Sequence, residues 1–325
     1  LDQLDALKLD GSTSTRLQPC KSPVWDTAIA MRALSESGVE MPSESMRAAT
    51  AWLLDEEVTR RGDWSHTVAA EPGGWCFEHN NPFYPDVDDT AMVLMALQDQ
   101  FTGAAPAGGS LPPELRLVGA PKGGSSPQWL YEHAPASRED AYRSLRTMDE
   151  TAATIDRGLR WLLAMQNSDG GWGWTAGKPS DLYLTTYALF ALKQAELTGF
   201  YVNPATLTGA RRYIRSTMYP AEMALEDWQI NQLAFINYTL VLSGDTDRPL
   251  ATLYELRERM DPWAQALLAL SFWTIDSASP EADTLLTDLQ SSASRSATGT
   301  HWQNRLNDWH TFSSPLSNTA FVIYA

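Results

Sequence analysis

Apolar residues recur along this chain in six runs that share one pattern. Each run opens with small, acidic, amide or aromatic residues, continues with Thr or Ala, and then carries Leu, Ile, Met or Val at helical spacing. The runs cover residues 25–34, 88–97, 184–192, 232–242, 263–272 and 317–325. They predict helices that are apolar nearly all round, as helices buried on every side must be.

More amphipathic, charge-bearing segments alternate with these runs and predict half-exposed helices. They cover residues 43–58, 151–165, 203–218, 248–260 and 279–292, with 1–9 as a sixth. Helix-start signals such as Asn203-Pro204 mark their beginnings. We therefore predict an all-α fold, a single (α/α)6 toroid over residues 1–325 in which an outer barrel sheathes an inner one. An open superhelical array is the alternative, but in such an array some sides of the inner helices would have no neighbouring helix.

One long interruption breaks the alternation. Residues 103–137 are rich in Gly, Pro, Ala and Ser, and a short helix is expected at about 139–148. Such a segment is too long to be a simple connection. It reads either as a mobile surface loop or as a lid over one rim of the barrel.

Composition narrows the range of partners. The formal charge of −16 argues against nucleic acid or an anionic membrane surface as an electrostatic partner. No apolar run approaches the length of a membrane span. Cys20 and Cys76 could pair, bind a ligand or stay reduced, and they do not define a compartment. The chain opens at Leu1 without Met, which indicates a piece of a longer protein.

Three carboxylates stand in four residues immediately before the apolar run 92–97; we call Asp86, Asp88 and Asp89 the acidic triplet. If they converge on a partly dry cavity, burial and repulsion raise their pKa values, and a retained proton makes a general acid. If Asp88 or Asp89 instead caps a helix that begins at Thr90, the helix dipole favours the ionised carboxylate. The two readings predict opposite pKa shifts.

Loops that enter the inner helices of a toroid gather at one end of the barrel, so we expect Asp26 beside the acidic triplet. Aromatic residues flank these openings: Trp25, Trp75, Phe77 and Tyr84. Aromatic faces stabilise cations by about 0.5–2 kcal/mol each when desolvated. An acid surrounded by such faces suits carbocation chemistry, whereas loop packing is the simpler role for each aromatic alone.

A second set of reactive side chains is His66, Cys76, Glu78 and His79. His and Cys bind zinc, but the irregular spacing argues against a site, and we predict no metal and no cofactor. Residues 76–79 are also similar to a Cys-x-Glu-Gln thioester motif. His79 stands where the Gln would supply the acyl carbon, so no thioester can form there.

Four motifs between about residues 17 and 173 form a specific set. They are Ser-Pro-Val-Trp-Asp-Thr at 22–27, Gly-Gly-Trp-Cys-Phe-Glu at 73–78, Tyr-Pro-Asp-Val-Asp-Asp-Thr-Ala at 84–91 and Gln-Asn-Ser-Asp-Gly-Gly-Trp at 166–172. In these motifs the chain resembles squalene–hopene cyclases. The resemblance implies that Asp88 protonates a terminal alkene, that Asp86 and Asp89 tune it, that Asp26 belongs to the same acidic network, and that Phe77 stabilises a cation.

A different set follows at residues 173–185, 225–228, 261–268 and 291–302. Here the chain is similar to the thioester-containing toroid domain of bacterial α2-macroglobulins. Both families use an α/α toroid, so the expected fold is unchanged. The chain would then join a cyclase-like half, 1–173, to a macroglobulin-like half, 174–325. If the halves share one barrel, Trp172 and Trp174 should be buried between them.

The leading hypothesis is a class II terpene cyclase domain that cyclises a polyisoprenoid such as squalene after protonation, without a cofactor. The resemblance implies a second barrel domain, not matched in this chain, and peripheral membrane contact. The alternative is a non-catalytic macroglobulin-like toroid that binds proteins. A zinc prenyltransferase-like toroid is a third hypothesis.

Overall fold

Eleven α-helices account for most of the chain that the computed structural model describes, namely residues 8–10, 15–17, 22–36, 44–77, 83–102, 138–220, 224–296, 299–305 and 315–325. In chain order the helices are α1 (Pro23–Glu36), α2 (Glu44–Asp55), α3 (Val87–Thr102), α4 (Arg138–Ala164), α5 (Leu182–Leu197), α6 (Pro204–Thr217), α7 (Asp227–Leu242), α8 (Leu250–Glu255), α9 (Pro262–Ile275), α10 (Pro280–Ser292) and α11 (Pro315–Tyr324). Two antiparallel ribbons pair β1 (Lys8–Asp10) with β2 (Thr15–Leu17) and β3 (Ser294–Ser296) with β4 (Gly299–His301).

Six of these helices form a closed inner ring. Helix α1 packs on α3, α3 on α5, α5 on α7, α7 on α9, α9 on α11, and α11 returns to α1. The six are the helices that the apolar runs predicted. The fold is an all-α toroid of the (α/α)6 type, as the sequence predicts.

The inner helices are apolar on every side because each is surrounded by neighbours on every side. From Ile230 to Val241 every residue of α7 is buried, and α5 and α9 are similar. Helices α2, α4, α6, α8 and α10 pack outside, and α2, α6 and α10 each bury only some of their residues. No helix in the described part of the chain is both long and apolar enough to cross a membrane.

Three expected elements differ from the structure. Residues 138–164 form one continuous helix, α4, so the short helix expected at 139–148 is not separate from the outer helix expected at 151–165. The expected outer helix 248–260 is broken into α8 and a 3₁₀ turn at Arg257–Arg259. The helix expected at 1–9 is contradicted at its end, where residues 8–9 belong to β1. The segment 103–137 lies outside the described residues.

A recurring tryptophan joins the outer and inner helices, in an arrangement that we call the tryptophan clasp. The indole nitrogens of Trp75, Trp172 and Trp302 donate to the carbonyls of Leu53, Leu162 and Leu289 in outer helices, at 2.6, 2.7 and 2.7 Å. The backbone N–H groups of the same tryptophans donate to the hydroxyls of Thr90, Thr185 and Thr319 in inner helices, at 3.0, 2.9 and 3.2 Å. Each clasp thereby fixes the start of an inner helix.

Candidate active site

The acidic triplet lies at the start of α3, directly behind one clasp. The backbone N–H of Asp86 donates to the carbonyl of Trp75 at 2.9 Å, and a carboxylate oxygen of Asp86 accepts the backbone N–H of Asp89 at 3.1 Å. Helix α3 begins at Val87. The helix cap is therefore Asp86, and the expectation that Asp88 or Asp89 caps a helix beginning at Thr90 is wrong.

The three carboxyl groups converge, with one oxygen from each lying within 4.8 Å of the others. Burial, with the charges of Asp89 and Asp88, raises the pKa of Asp86 well above its usual range. Burial raises the pKa of Asp88 to about 6. The rise is limited because hydrogen bonds from backbone N–H groups and from the Asp86 side chain lower the pKa. Burial and the charge of Asp88 raise the pKa of Asp89 to about 8. The triplet therefore retains protons at neutral pH.

Oxygens of this triplet lack partners. One side-chain oxygen of Asp88 and one of Asp89 are buried and accept no hydrogen bond from any described residue. Asp261, another buried acid at this end of the barrel, has partners for its oxygens. Both oxygens of Asp261, at the start of α9, accept hydrogen bonds, from the amide of Asn231 at 3.0 Å and from the backbone of Arg305 at 2.7 Å. A buried unpaired oxygen is costly, so the triplet is poorly explained as a purely structural cluster.

Carboxylates from neighbouring inner helices meet at the triplet. The charge of Asp26, from α1, contributes to the raised pKa of Asp89. The charge of Asp181, which precedes α5, contributes to the raised pKa of Asp88. Four predicted residues, Asp26 and the triplet, are thus brought together, although Asp26 is exposed.

An aromatic row begins beside the acids and descends inside the inner ring. The ring centres of Trp25 and Tyr187 lie 5.8 Å apart, and Tyr187 lies 5.0 Å from Tyr183 and 4.7 Å from Phe235. Phe190 continues the row at 5.8 Å from Phe235. Burial raises the pKa of Tyr187 to about 12, and the nearby charge of Asp88 adds to the shift.

Sequence reasoning missed Tyr183, Tyr187 and Phe235, although a signal was present. Tyr183, Tyr187 and Phe190 lie at positions i, i+4 and i+7 of a predicted inner helix, which places them on one face. In a closed ring, that face can point along the barrel interior. The apolar character of the whole run hid this stripe.

The predicted aromatic residues occupy different settings. Trp25 is half-buried and belongs to the aromatic row. The side chain of Trp75 is fully buried, and the tryptophan clasp uses its indole nitrogen. Phe77 is half-buried, whereas Tyr84 is 45% exposed at the rim. The structure therefore brings Trp25 to Tyr187, which lies near the charge of Asp88, and places Trp75 behind the acids as a support.

The prediction that His66, Cys76, Glu78 and His79 hold no metal stays a prediction. Glu78 and His79 of that set lie outside the described residues, and Cys76 is buried. In the described ranges, the one group of three ligand-type side chains within reach of each other is the acidic triplet. Carboxylate oxygens could hold a hard divalent cation, but bound protons would compete with it.

An ion pair lies near the other end of the inner ring. Arg32, near the end of α1, donates to the carboxylate of Asp99 at 3.1 Å, and both side chains are mostly buried. The guanidinium carbon of Arg32 lies 5.5 Å from the ring centre of Phe190 and 5.4 Å from that of Tyr324. Because Asp88 and Asp99 lie eleven residues apart on α3, this pair is about 16 Å below the acids.

The fold and site together define an α-toroid with a buried, proton-retaining acidic cluster above an aromatic interior. Two family models match the chain, and both describe domains of squalene–hopene cyclases. The family model of the squalene–hopene cyclase C-terminal domain matches residues 21–106, and that of the N-terminal domain matches residues 142–218. The first match covers α1 to α3 and the second covers α4 to α6, in the opposite order to their names. The second match also extends the cyclase likeness past residue 173.

Curated relatives carry the same name. A squalene–hopene cyclase of Alicyclobacillus acidocaldarius is 34% identical over 153 residues, which is 47% of this chain and 17% of that protein. One from Bradyrhizobium diazoefficiens is 30% identical over 171 residues, which is 52% of this chain and 20% of that protein. The matches span about a fifth of these relatives. They confirm the resemblance to squalene–hopene cyclases that the sequence motifs predict.

Among solved structures, the chain resembles bacterial α2-macroglobulins. A fragment of native Escherichia coli α2-macroglobulin, from domain MG7 to the C-terminus, has a TM-score of 0.46 and 13% identity over 82% of this chain and 39% of that one. Salmonella α2-macroglobulin reacted with methylamine has a TM-score of 0.45 and 16% identity over 73% of this chain and 15% of that one. The second family predicted from the sequence therefore also recurs among the neighbours.

The burial predicted for the two tryptophans at the join is half right. Trp172 is fully buried in its clasp, whereas Trp174 is 44% exposed. Trp172 is the buried one because its indole forms the clasp between the helices, whereas Trp174 takes no part in the clasp.

Proposed function

We propose that this chain is a class II terpene cyclase domain of the squalene–hopene type, in which Asp88 protonates a terminal alkene of a polyisoprenoid. The observation that carries the proposal is the buried, unpartnered oxygen of Asp88 within a cluster of carboxyls that retains protons. A helix cap alone would use its oxygens on backbone N–H groups and favour the ionised form. Asp86 meets that description better than Asp88 does.

Asp88 is the best placed of the three acids. Its pKa is the least raised, so it is the strongest acid of the three that still holds a proton at mildly acidic pH. Backbone N–H groups and the Asp86 side chain stabilise its carboxylate, which is the form left after the proton has been given up. The charge of Asp88 raises the pKa of Tyr187, which lies in the aromatic row. Asp86 and Asp89 are therefore tuning groups, with Asp26 at their edge.

The proposed reaction begins when the Asp88 carboxyl transfers its proton to the terminal carbon of the alkene. A C–H bond forms, the π bond breaks, and a tertiary carbocation faces the Asp88 carboxylate. The π electrons of the next alkene then form a C–C bond and move the cation along the chain. The final cation loses a proton to water and Asp88 regains one from solvent, so the product is an isomer of the substrate. Trp25, Tyr187 and Phe235 supply faces that stabilise cations, and Phe77 and Tyr84 stay candidates at the rim.

The experiment is incubation of purified protein with squalene, and separately with shorter polyprenes, followed by product analysis. Asp88→Asn preserves shape and removes the transferable proton, so we expect conversion to be abolished with the helical far-UV spectrum unchanged. Asp86→Asn keeps the helix cap and should weaken conversion without abolishing it. The matched control is Asp288→Asn, an exposed carboxylate on α10, which should leave conversion unaltered.

The proposal fails if the folded wild-type protein converts none of these substrates when its acidic triplet is intact and protonated. It also fails if Asp88→Asn retains conversion. The expected second barrel domain, peripheral membrane contact and absence of nucleic acid binding stay predictions.

A further inference from the structure

A cavity of about 610 Å³ opens on the outer surface, between α6 and the turn that follows α7. Its lining includes Thr208, Arg211, Arg212, Arg215 and Ser216 of α6 and Asp245 of the turn. We call it the basic pocket. The α6 residues follow one another at helical i, i+3, i+4, i+7 and i+8 positions, so they form one continuous face.

The charge of the basic pocket departs from that of the chain. The whole chain carries a formal charge of −16, yet three guanidinium groups and one carboxylate line this cavity. The carboxylate, Asp245, already accepts from Arg215 at 2.7 Å and lies 3.5 Å from Arg248. Asp245 is therefore already paired with arginines, and the cavity keeps an excess of positive charge.

Two arginines supply donors to the cavity. Arg212 is exposed and forms no hydrogen bond or ion pair with the described residues. Arg211 is held in place, since its two terminal nitrogens donate to the carbonyl of Ser243 at 2.6 Å and to the hydroxyl of Thr208 at 3.2 Å. A fixed guanidinium loses less entropy when it binds a further oxygen, and arginine forks suit phosphate oxygens.

The basic pocket is separate from the acidic triplet. Arg32 and Asp99 pair near the C-terminal ends of α1 and α3, whereas the acids meet near the N-terminal ends, so the inner helices run parallel. The turn with Asp245 follows the C-terminal end of α7, and it therefore lies toward the opposite end of the barrel. Substrate for the proposed acid would not reach this pocket.

We propose that the basic pocket binds a phosphate dianion, either a free phosphate or diphosphate compound or the headgroup of a phosphomonoester lipid. Two positive charges in excess of Asp245 match a dianion better than a single carboxylate. This site goes beyond the proposed cyclase function, and its presence does not depend on catalysis.

The probe is inorganic pyrophosphate, titrated into the whole chain by calorimetry at low ionic strength, alongside vesicles of phosphatidylcholine with and without phosphatidic acid. We expect wild-type protein to bind pyrophosphate or the phosphatidic acid vesicles, with binding that weakens as salt rises. Arg212→Gln should weaken binding at least tenfold, and because Arg212 is exposed and forms no hydrogen bond or ion pair with the described residues the fold should be retained. Arg160→Gln, an equal charge change at an exposed arginine of α4 that pairs with Asp156, is the control.

Pyrophosphate binding that Arg212→Gln weakens identifies a soluble ligand, and vesicle binding alone with the same sensitivity identifies a lipid headgroup. Either result supports the site. It is overturned if neither probe binds, or if Arg160→Gln weakens binding as much as Arg212→Gln does, because the effect would then be one of general charge.

Discussion

Asp86 and Asp181 occupy equivalent positions at the starts of two inner helices. Each donates its backbone N–H to the carbonyl of a clasp tryptophan, at 2.9 and 2.8 Å, and each uses a carboxylate oxygen to accept the N–H of the residue three positions later, at 3.1 and 3.0 Å. Two and three positions after Asp181 the chain has Tyr183 and Leu184, whereas two and three positions after Asp86 it has Asp88 and Asp89. The candidate acids are thus additions to a repeated structural cap.

This equivalence predicts a separation of stability from activity. Asp86→Ala and Asp181→Ala should each lower the free energy of unfolding by about 1 kcal/mol, because each removes one helix cap. Asp86→Ala should also change conversion of a polyprene beyond the loss expected from unfolded protein, whereas Asp181→Ala should change it less, because the charge of Asp181 is a minor cause of the raised pKa of Asp88. Urea unfolding and product analysis of the two variants check this, and an equal loss of conversion in both would contradict a special role for the triplet.

Conversion should depend on pH through Asp88. The reactive form is the protonated acid, and the pKa of Asp88 is raised to about 6 by burial. The rate should therefore be highest below pH 6 and fall as pH rises through that value, by up to tenfold per pH unit above pH 7. Initial rates from pH 5 to pH 8 check the profile. A rate that is flat across this range would exclude Asp88 as the rate-controlling acid.

Stability should depend on pH in the same direction. The folded-state pKa values of Asp88 and Asp89, about 6 and about 8, exceed the value of about 3.9 expected for an unfolded Asp. Between pH 4 and pH 8 the folded state thus holds more protons, and the stabilisation present at pH 4 is lost as pH rises through those values. The Asp88→Asn, Asp89→Asn double variant should flatten this slope in urea unfolding. Asp288→Asn should leave the slope unchanged, since Asp288 is exposed on α10.

The tryptophan clasp should contribute strongly to stability. Trp172→Phe removes the N–H that donates to the carbonyl of Leu162 at 2.7 Å and leaves space in a fully buried site. We expect a loss of about 2–4 kcal/mol in the free energy of unfolding. Trp174→Phe is the control, because Trp174 is 44% exposed and its change should stay within about 0.5 kcal/mol. Similar losses from both variants would show that the clasp is not the source of the stability.

Removing Arg32 alone should lower the free energy of unfolding more than replacing both Arg32 and Asp99. Arg32→Met leaves the buried Asp99 carboxylate without its cation, for an expected loss of about 3 kcal/mol at pH 8. Burial already raises the pKa of Asp99, so protonation should reduce the loss at pH 5. Arg32→Met with Asp99→Asn should recover part of the stability. Urea unfolding at both pH values checks this, and a double variant as unstable as Arg32→Met would refute the pairing argument.

The sequence allowed prediction of the ring but less of its interior. Uniformly apolar runs identify α5, α7 and α9 as inner helices, because only a surrounded helix lacks a polar face. The same uniformity hides which face of α5 carries Tyr183 and Tyr187 toward the centre. The acidic triplet was visible from its spacing, but its cap was misplaced, since Asp86 and Asp88 both suit the start of a helix. The basic pocket is not predictable from the sequence, because Arg211 meets Ser243 and Arg215 meets Asp245 only after the chain has folded.

The return of α11 to α1 has a consequence for how the protein is made. These helices stand at opposite ends of the described chain, so their contact spans nearly 300 residues, and contacts of such separation form late. Before α11 leaves the ribosome, the flanks of α1 and α9 that it covers are exposed to water. Those flanks are apolar and invite aggregation of the nascent chain. Synthesis of this protein should therefore be sensitive to chaperone supply, and most of all to any pause before residue 315.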